Sequence, residues 1–390
     1  MKTRLATIVT IGWCSLFVAE NTGVGQNWTN TITFNDEDFH IASSADGKKL
    51  VTGGYFESIK YISTNAGIGW ITNNTPDALC RGFASSADGT KLVAVGFSGI
   101  YTSKDGGAIW ISNNVPNKPW ISVASSSDGN KLVAVAGGAS GAWAVYSSTN
   151  AGAVWIANNV PTANWHGVAC SADGSKLVAS SHARIYTSTN AGVSWISNNV
   201  PGLDWWPVAS SADGNKLVAA DQFNGRIITS TNAGAEWISN SIPSGGRWIA
   251  VASSADGNKL VAVENRFGRI YSSTNAGTSW VQNDVTNLAW SSVVSSADGN
   301  RLAAAGGRGS IYVSYSTPTP LLSIVSTGNT ARISWLIPSL PFTLQQNTDL
   351  TTTNWTDVTS PPTLNLTNLD NEVTLPLPLS NTFYRLKGSP

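Results

Sequence analysis

The sequence predicts an all-β chain: a seven-bladed β-propeller with an N-terminal strand closing the last blade, plus a small C-terminal β-sandwich. Three observations carry that expectation. Ser-x-Asp-Gly recurs with its aspartate at 46, 88, 128, 173, 213, 256 and 298, at spacings of 40 to 45 residues. Self-similarity at that period marks a ring or stack of small supersecondary units. A second signature, Ser-x-Asn/Asp-x-Gly-x-x-Trp, occupies Ser63–Trp70, Ser103–Trp110, Ser148–Trp155, Ser188–Trp195, Ser230–Trp237 and Ser273–Trp280. Finally, each period holds short runs rich in Val, Ile, Trp, Tyr and Thr bounded by Gly and Asn, and no stretch keeps a helical period.

The third period illustrates one unit. Trp120–Ser126, Lys131–Ala136, Ala144–Thr149 and Val154–Asn158 read as four strands joined by hairpins. Four antiparallel strands in roughly 42 residues make one propeller blade. The seventh period lacks its Trp signature, because the chain runs from Ile311 into Pro318 without the Asn, Gly and Trp. Trp28, however, precedes Asp46 by the 18 residues that separate Trp and Asp at five of the six complete junctions. Residues 27–34 are therefore expected as the outer strand of blade 7, beside 310–316. Closure of this kind removes an exposed sheet edge.

The ends of the chain have a different character. Met1-Lys-Thr-Arg4 followed by an apolar run from Leu5 to Ala19 fits a secretory signal peptide, cleaved after Ala19 or Gly25. The expected organisation is thus a signal peptide over 1–25, the propeller over 26–316, a Pro/Thr linker over 317–320 and the β-sandwich over 321–390. Such a protein is secreted, to the medium, the periplasm or the cell surface. Past the N-terminus no apolar run is long enough to span a bilayer. Charged residues are 12% of the chain, with 23 cationic against 23 acidic side chains. That balance gives no electrostatic reason to expect nucleic acid or an anionic membrane as partner. Cys80 and Cys170 fall at different registers of non-adjacent repeats and read as two unpaired, largely buried thiols.

The repeated turns resemble the Asp-box, or BNR repeat, of sialidases and other secreted propellers. The order of strands around them resembles the photosystem II assembly factor propellers. The likeness covers about residues 27–316 and implies structural turns remote from any active site. The chemistry agrees: an Asn or Asp side chain accepts hydrogen bonds from its own turn, and Gly supplies a positive φ. Five of the six boxes carry neutral Asn, which suits a turn and is poor for calcium. His40, His166 and His182 are spread over the repeats with no metal-ligand spacing, so neither a metal nor any other cofactor is expected. A sialidase needs three arginines and an Arg-Ile-Pro segment early in the ring. No Arg-Ile-Pro exists, and only Arg81 precedes Arg184 in the mature chain.

In a four-stranded meander both kinds of turn lie at one end of the blade, leaving the variable loops at the other. Binding residues concentrate on such loops. Trp120, Trp165, Trp205, Trp248 and Trp290 open the innermost strands at one register, where blades 1 and 2 carry Asp38 and Cys80. Either these indoles ring the channel mouth as stacking platforms for sugar or peptide, or they fill the spaces between blades. Blades 4 to 6 add Arg184, Arg226, Arg269, Asp204, Asp221 and Glu264, the densest charge in a charge-poor chain. The candidate binding set is therefore Trp165, Trp205, Trp248, Arg184, Arg226, Arg269, Asp221 and Glu264. The expected function is non-catalytic binding of a protein or glycan by a monomer. The alternatives are a divergent sialidase-like glycoside hydrolase or lyase, and an assembly or scaffold factor.

Beyond Pro320 the repeat ends. Leu321–Val325, Ala331–Leu336, Phe342–Gln346, Trp355–Val358, Glu372–Leu375 and Phe383–Leu386 read as strands of a small sandwich. Phe342–Leu350, Asn354-Trp355-Thr356 and Phe383–Leu386 resemble a fibronectin-III-like module at the C-termini of secreted bacterial proteins, which implies surface display or adhesion.

Overall fold

The computed structural model describes residues 9–10, 27–34, 39–54, 59–74, 79–137, 143–201, 203–240, 242, 246–265, 267–307, 309–316, 322–336, 342–367, 369–378 and 382–388. The expected signal segment (apart from Val9–Thr10), Asp38, the variable-face loop residues Tyr55–Glu57 and the linker lie outside them. Blade 1 comprises His40–Ser43, Leu50–Gly53, Ile59–Ser63 and Ile71–Asn74 from the axis outward. Blades 2 to 6 repeat that meander from Cys80, Trp120, Trp165, Trp205 and Trp248. Blade 7 pairs Trp290–Ser295, Arg301–Gly306 and Ser310–Tyr315 with Trp28–Thr33 as its outer strand, Trp28 opposite Ser314 and Thr33 opposite Ser310. The N-terminal strand closes the last blade.

The ring closes a second time through its backbone. Ala45 donates to the carbonyl of Ala87, Ala87 to Ser127, Ser127 to Ala172, Ala172 to Ala212, Ala212 to Ala255, Ala255 to Ala297, and Ala297 back to Ala45, each at 2.7–2.8 Å. Every donor is the middle residue of a Ser-x-Asp-Gly turn, so each turn hydrogen-bonds to the next blade around a complete circle. Within the turn, Ser86 Oγ donates to Asp88 Oδ1 at 2.6 Å, Thr90 N donates to the same oxygen at 2.9 Å, and Lys91 N donates to Ser86 Oγ. Gly89 completes it at φ 68°. The following lysine crosses to the next blade. Lys91 Nζ of blade 2 donates to the Asp128 carbonyl and to Asn130 Oδ1, and Lys176 of blade 4 and Lys216 of blade 5 make the same pair of bonds.

These turns make the ring acid-sensitive. Burial pushes Asp88, Asp128, Asp173 and Asp213 up, but the serine hydroxyl and turn amide bonds outweigh it and hold all four below the ordinary carboxylate range. A carboxylate with a depressed folded-state pKa contributes stability that is complete above its unfolded value, about pH 4, and is lost as pH falls through the folded value. The urea midpoint should therefore hold near neutrality and drop below about pH 4. A midpoint unchanged down to pH 3 would contradict this coupling.

Large side chains fill the seams between blades. Trp165 packs among Val133, Val135 and Val145 of blade 3 and meets Tyr186 edge-on at 5.1 Å. Trp205 lies against Val178 and Ile185 of blade 4, and Trp248 against Val218, Ala220 and Ile227 of blade 5. The seam between blades 7 and 1 uses Phe34 and Phe39 instead, with Phe34 stacked on Tyr61. The seam between blades 1 and 2 departs furthest. Cys80 stands where later blades have Trp, and Lys60 stands where they have Ile100, Val145, Ile185, Ile227, Ile270 or Ile311. Both are fully buried, with the lysine hydrogen-bonded to the thiol. The long lysine stem occupies room that the smaller cysteine leaves.

The C-terminal region is a two-sheet sandwich. Ser323–Thr327, Thr330–Leu336, Asp370–Pro376 and Thr363–Asn365 form one sheet. Phe342–Asn347, Phe383–Gly388 and Thr356–Asp357 form most of the other. Ile333, Trp335, Val373, Leu344, Tyr384 and Leu386 make their shared core. Thr363–Asn365 was not among the expected strands. Val9–Thr10 adds a two-residue edge beside Phe383–Tyr384.

Candidate binding face

Both turn families lie at one end of the strands, as the meander requires. At the other end, the loops after the second strands and those leading into the next blade form the variable face. Several residues expected to bind are absent from its surface. Trp165, Trp205 and Trp248 have no exposed area, because each plugs a seam, so they offer no platform for stacking. Asp221 is also fully buried. Its carboxylate accepts Phe223 N at 2.8 Å, Asn224 N at 3.3 Å and Asn224 Nδ2 at 2.7 Å, which makes it the cap of its own loop. Glu264 is likewise buried, with Oε1 3.8 Å from Arg269 Nε. The expectation that these two acids reach a ligand is corrected by their burial: Asp221 caps its own loop and Glu264 lies beneath Arg269.

The arginines are placed differently. Arg184 and Arg226 are exposed at the start of the third strands, and Arg184 Nη1 donates to Ser197 Oγ at 3.2 Å. Arg269 is half-buried, held by Glu264 below and lying 5.2 Å from the Phe267 ring. Arg247, overlooked in the sequence, is exposed and crosses from blade 6 to lie 5.1 Å from the Phe223 ring of blade 5. Phe223 and Phe267 are themselves 55% and 44% exposed. Guanidinium over an aromatic face is attractive and holds both groups in place. On blade 2, Arg81 repeats the arrangement over Phe97 at 4.4 Å.

Next to this strip, the fold assembles a cluster that looked dispersed in sequence. The hairpin of blade 4 pairs Trp165 with Ser181, which brings His166 and His182 to the same end. A bridge between His182 and Asp204 then adds the acid from blade 5. Asp204 Oδ1 lies 2.9 Å from His182 Nδ1 and 3.3 Å from His166 Nε2, and His166 packs on Trp206 at 4.9 Å. Burial lowers His166 to about 4, and the attraction of Asp204 recovers only part of that, so its imidazole is neutral at neutral pH. His182 is the exposed member. Among the described residues, no three His, Cys, Asp or Glu side chains are arranged to hold a metal ion.

The balance of charge follows. On the variable face of blades 4 to 6, Asp221 and Glu264 are buried and Asp204 is engaged by imidazoles, while Arg184, Arg226 and Arg247 face solvent. Asp284, in the loop from blade 6 to blade 7, is an exposed acid at the margin.

No protein-family model matches the chain, and no curated protein matches it. Solved structures do. The β-propeller domain of Cps50 (Swd1) from Myceliophteria thermophila aligns with 75% of this chain and all of its own, at 14% identity and TM-score 0.61. YCF48 bound to D1 peptide aligns over 76% of this chain and 99% of its own, at 15% identity and TM-score 0.59. A catalytically inactive variant of virginiamycin B lyase from Staphylococcus aureus, with quinupristin, aligns over 75% and 99%, at 13% identity and TM-score 0.61. These likenesses establish a β-propeller. At such identities they speak to the fold alone.

Proposed function

We propose that this chain is an exported, non-catalytic propeller that binds a protein through the variable face of blades 4 to 6. The contacting segment of the partner carries carboxylates beside an apolar or aromatic anchor. One observation carries this: the acids of that region are turned inward, while Arg184, Arg226 and Arg247 face outward beside two exposed phenylalanines. Arginine and aromatic side chains dominate the energetics of protein interfaces, and guanidinium pairs with carboxylate in two parallel bonds. Burial of the three tryptophans removes the indole platforms that pointed to a glycan. The peptide-bound neighbour YCF48 is a propeller that engages a peptide, which is compatible with the same use here. Export rests on the cationic start and the Leu5–Ala19 run. Removing residues 1–25 would also withdraw Val9–Thr10 and open the Phe383–Gly388 edge. The Asp-box and fibronectin-III-like resemblances fit such a secreted binder.

A peptide-display selection against residues 26–390 tests the proposal. It should enrich sequences pairing Asp or Glu with an aromatic residue. Arg226→Ala with Arg247→Ala should weaken the selected peptide about tenfold or more, leave the melting temperature nearly unchanged, and flatten the salt dependence of binding. Selection of uncharged peptides, or affinity that survives the double substitution, would refute it.

A further inference from the structure

The repeats provide their own comparison at the opposite, turn-bearing face. Equivalent crevices lie at the seams between blades. Those at seams 7/1, 2/3 and 3/4 hold about 10 Å³, room for a single water. The crevice between blades 1 and 2 holds about 280 Å³. Three sequence differences accompany this opening. Gly106 replaces the alanine found in the other five boxes (Ala66, Ala151, Ala191, Ala233 and Ala276), and a Cβ there would approach only the Gly89 carbonyl, at 3.6 Å. Ile62 replaces the Thr or Ser of the next five blades (Thr102, Ser147, Thr187, Thr229 and Ser272) and makes the wall apolar, together with Leu50 and Leu92. Thr90 stands where blades 3, 5, 6 and 7 carry Asn130, Asn215, Asn258 and Asn300.

That last exchange removes the asparagine that four other lysines use as a partner in the next blade. Lys91, Lys176, Lys216 and Lys259 each donate to the next blade's asparagine and to its Asp carbonyl. Lys131, which faces Ser175, keeps the bond to the Asp173 carbonyl; Lys49, among the described residues, makes neither bond, its charge acts on the Asp88 carboxylate, and its half-buried side chain lines the cleft. Asp105, the one box position of the six that carries a true carboxylate, lines the same cleft and is exposed. Its Oδ1 is committed to Ile109 N at 2.9 Å and Ser103 Oγ at 2.7 Å.

We propose that the seam between blades 1 and 2 binds a free hydrophobic amino acid, with its carboxylate at Lys49, its ammonium at Asp105 and its side chain against Ile62, Leu50 and Leu92. The cleft lies just below the roughly 300–1,000 Å³ usual for drug-sized ligands, which suits a single residue. Opposite charges beside an apolar wall match a zwitterion better than a simple anion or cation. The site is on the face opposite the protein-binding strip and is independent of it.

Titration calorimetry of residues 26–390 with L-leucine and L-phenylalanine tests the assignment. Saturable binding at one site per chain is expected for at least one of them. Lys49→Gln and Asp105→Asn should each weaken it about tenfold. Asp105→Asn keeps the turn, because Asn occupies that position in the other five boxes and accepts the same amide, as Asn190 does from Ser194 N. 3-Phenylpropionate, which lacks the ammonium, should bind weakly and be indifferent to Asp105→Asn. Absence of saturable binding by both amino acids at millimolar concentration, or affinity unchanged in both variants, would overturn the proposal.

Discussion

A chain lacking residues 27–34 should still fold into a ring but melt about 10 °C or more below the intact protein. The missing segment supplies the outer strand of blade 7, from the Trp28–Ser314 pair to the Thr33–Ser310 pair. It also removes Phe34, which is 8% exposed and stacked on Tyr61 in the seam with blade 1. Loss of a buried phenylalanine alone costs about 3–5 kcal/mol. For a domain of this size each kcal/mol lowers the melting temperature by about 2–4 °C. Ser310–Tyr315 would become an open edge, and open edges recruit other chains. Circular dichroism melting should record the shift, and size-exclusion chromatography should record association. The circle of turn hydrogen bonds and the Ser291 Oγ bond to the Phe39 carbonyl at 2.7 Å remain in the truncated chain. Those contacts are why a destabilised ring is expected rather than an unfolded chain. A melting temperature equal to that of the intact protein would mean that the N-terminal strand adds nothing to closure.

The blades were legible because each repeat states its own hairpins. The 18-residue offset of Trp28 even located the closing strand. What sequence could not supply was how neighbouring blades interlock. Cys80 and Lys60 look unrelated 20 residues apart, and only the seam shows the lysine filling space beside the thiol. The circle of turn hydrogen bonds is hidden for the same reason, since six of its bonds join residues 40 to 45 apart and the seventh joins Ala297 to Ala45, all through backbone alone. The candidate site was partly legible. Its arginines are on the face where the loops vary, but its acids were misplaced. Asp221-Gln-Phe-Asn-Gly225 is a turn sequence whose leading Asp commonly caps its own backbone, and that signal outweighs charge clustering. His166 and His182 lie 16 residues apart with no metal-ligand spacing. Once Trp165 is paired with Ser181, the hairpin itself brings the two histidines together.

Trp248→Ala should cost about 3–5 kcal/mol of stability and leave affinity for a peptide bound at the variable face unchanged in the fraction that folds. The indole has no exposed area and is wedged between blade 5 and its own Tyr271, edge-on at 5.6 Å. Truncation would open a cavity in the seam where Val218, Ala220 and Ile227 meet Leu260 and Ala262, and close-packed seams collapse poorly around such a void. Trp248→Phe sharpens the test. The Trp248 Nε1 has no hydrogen-bond partner among the described residues, whereas Trp205 Nε1 donates to the Pro201 carbonyl at 3.0 Å. Phe at 248 therefore gives up only volume, while Phe at 205 gives up volume and one of the two hydrogen bonds that the Pro201 carbonyl accepts, the other coming from Leu203 N. Urea unfolding should rank the losses as Trp248→Phe below Trp205→Phe, with Trp248→Ala largest. If Trp248→Ala instead kept its stability and lost only binding, the indole would have to reach the surface, and the seam packing described here would be wrong.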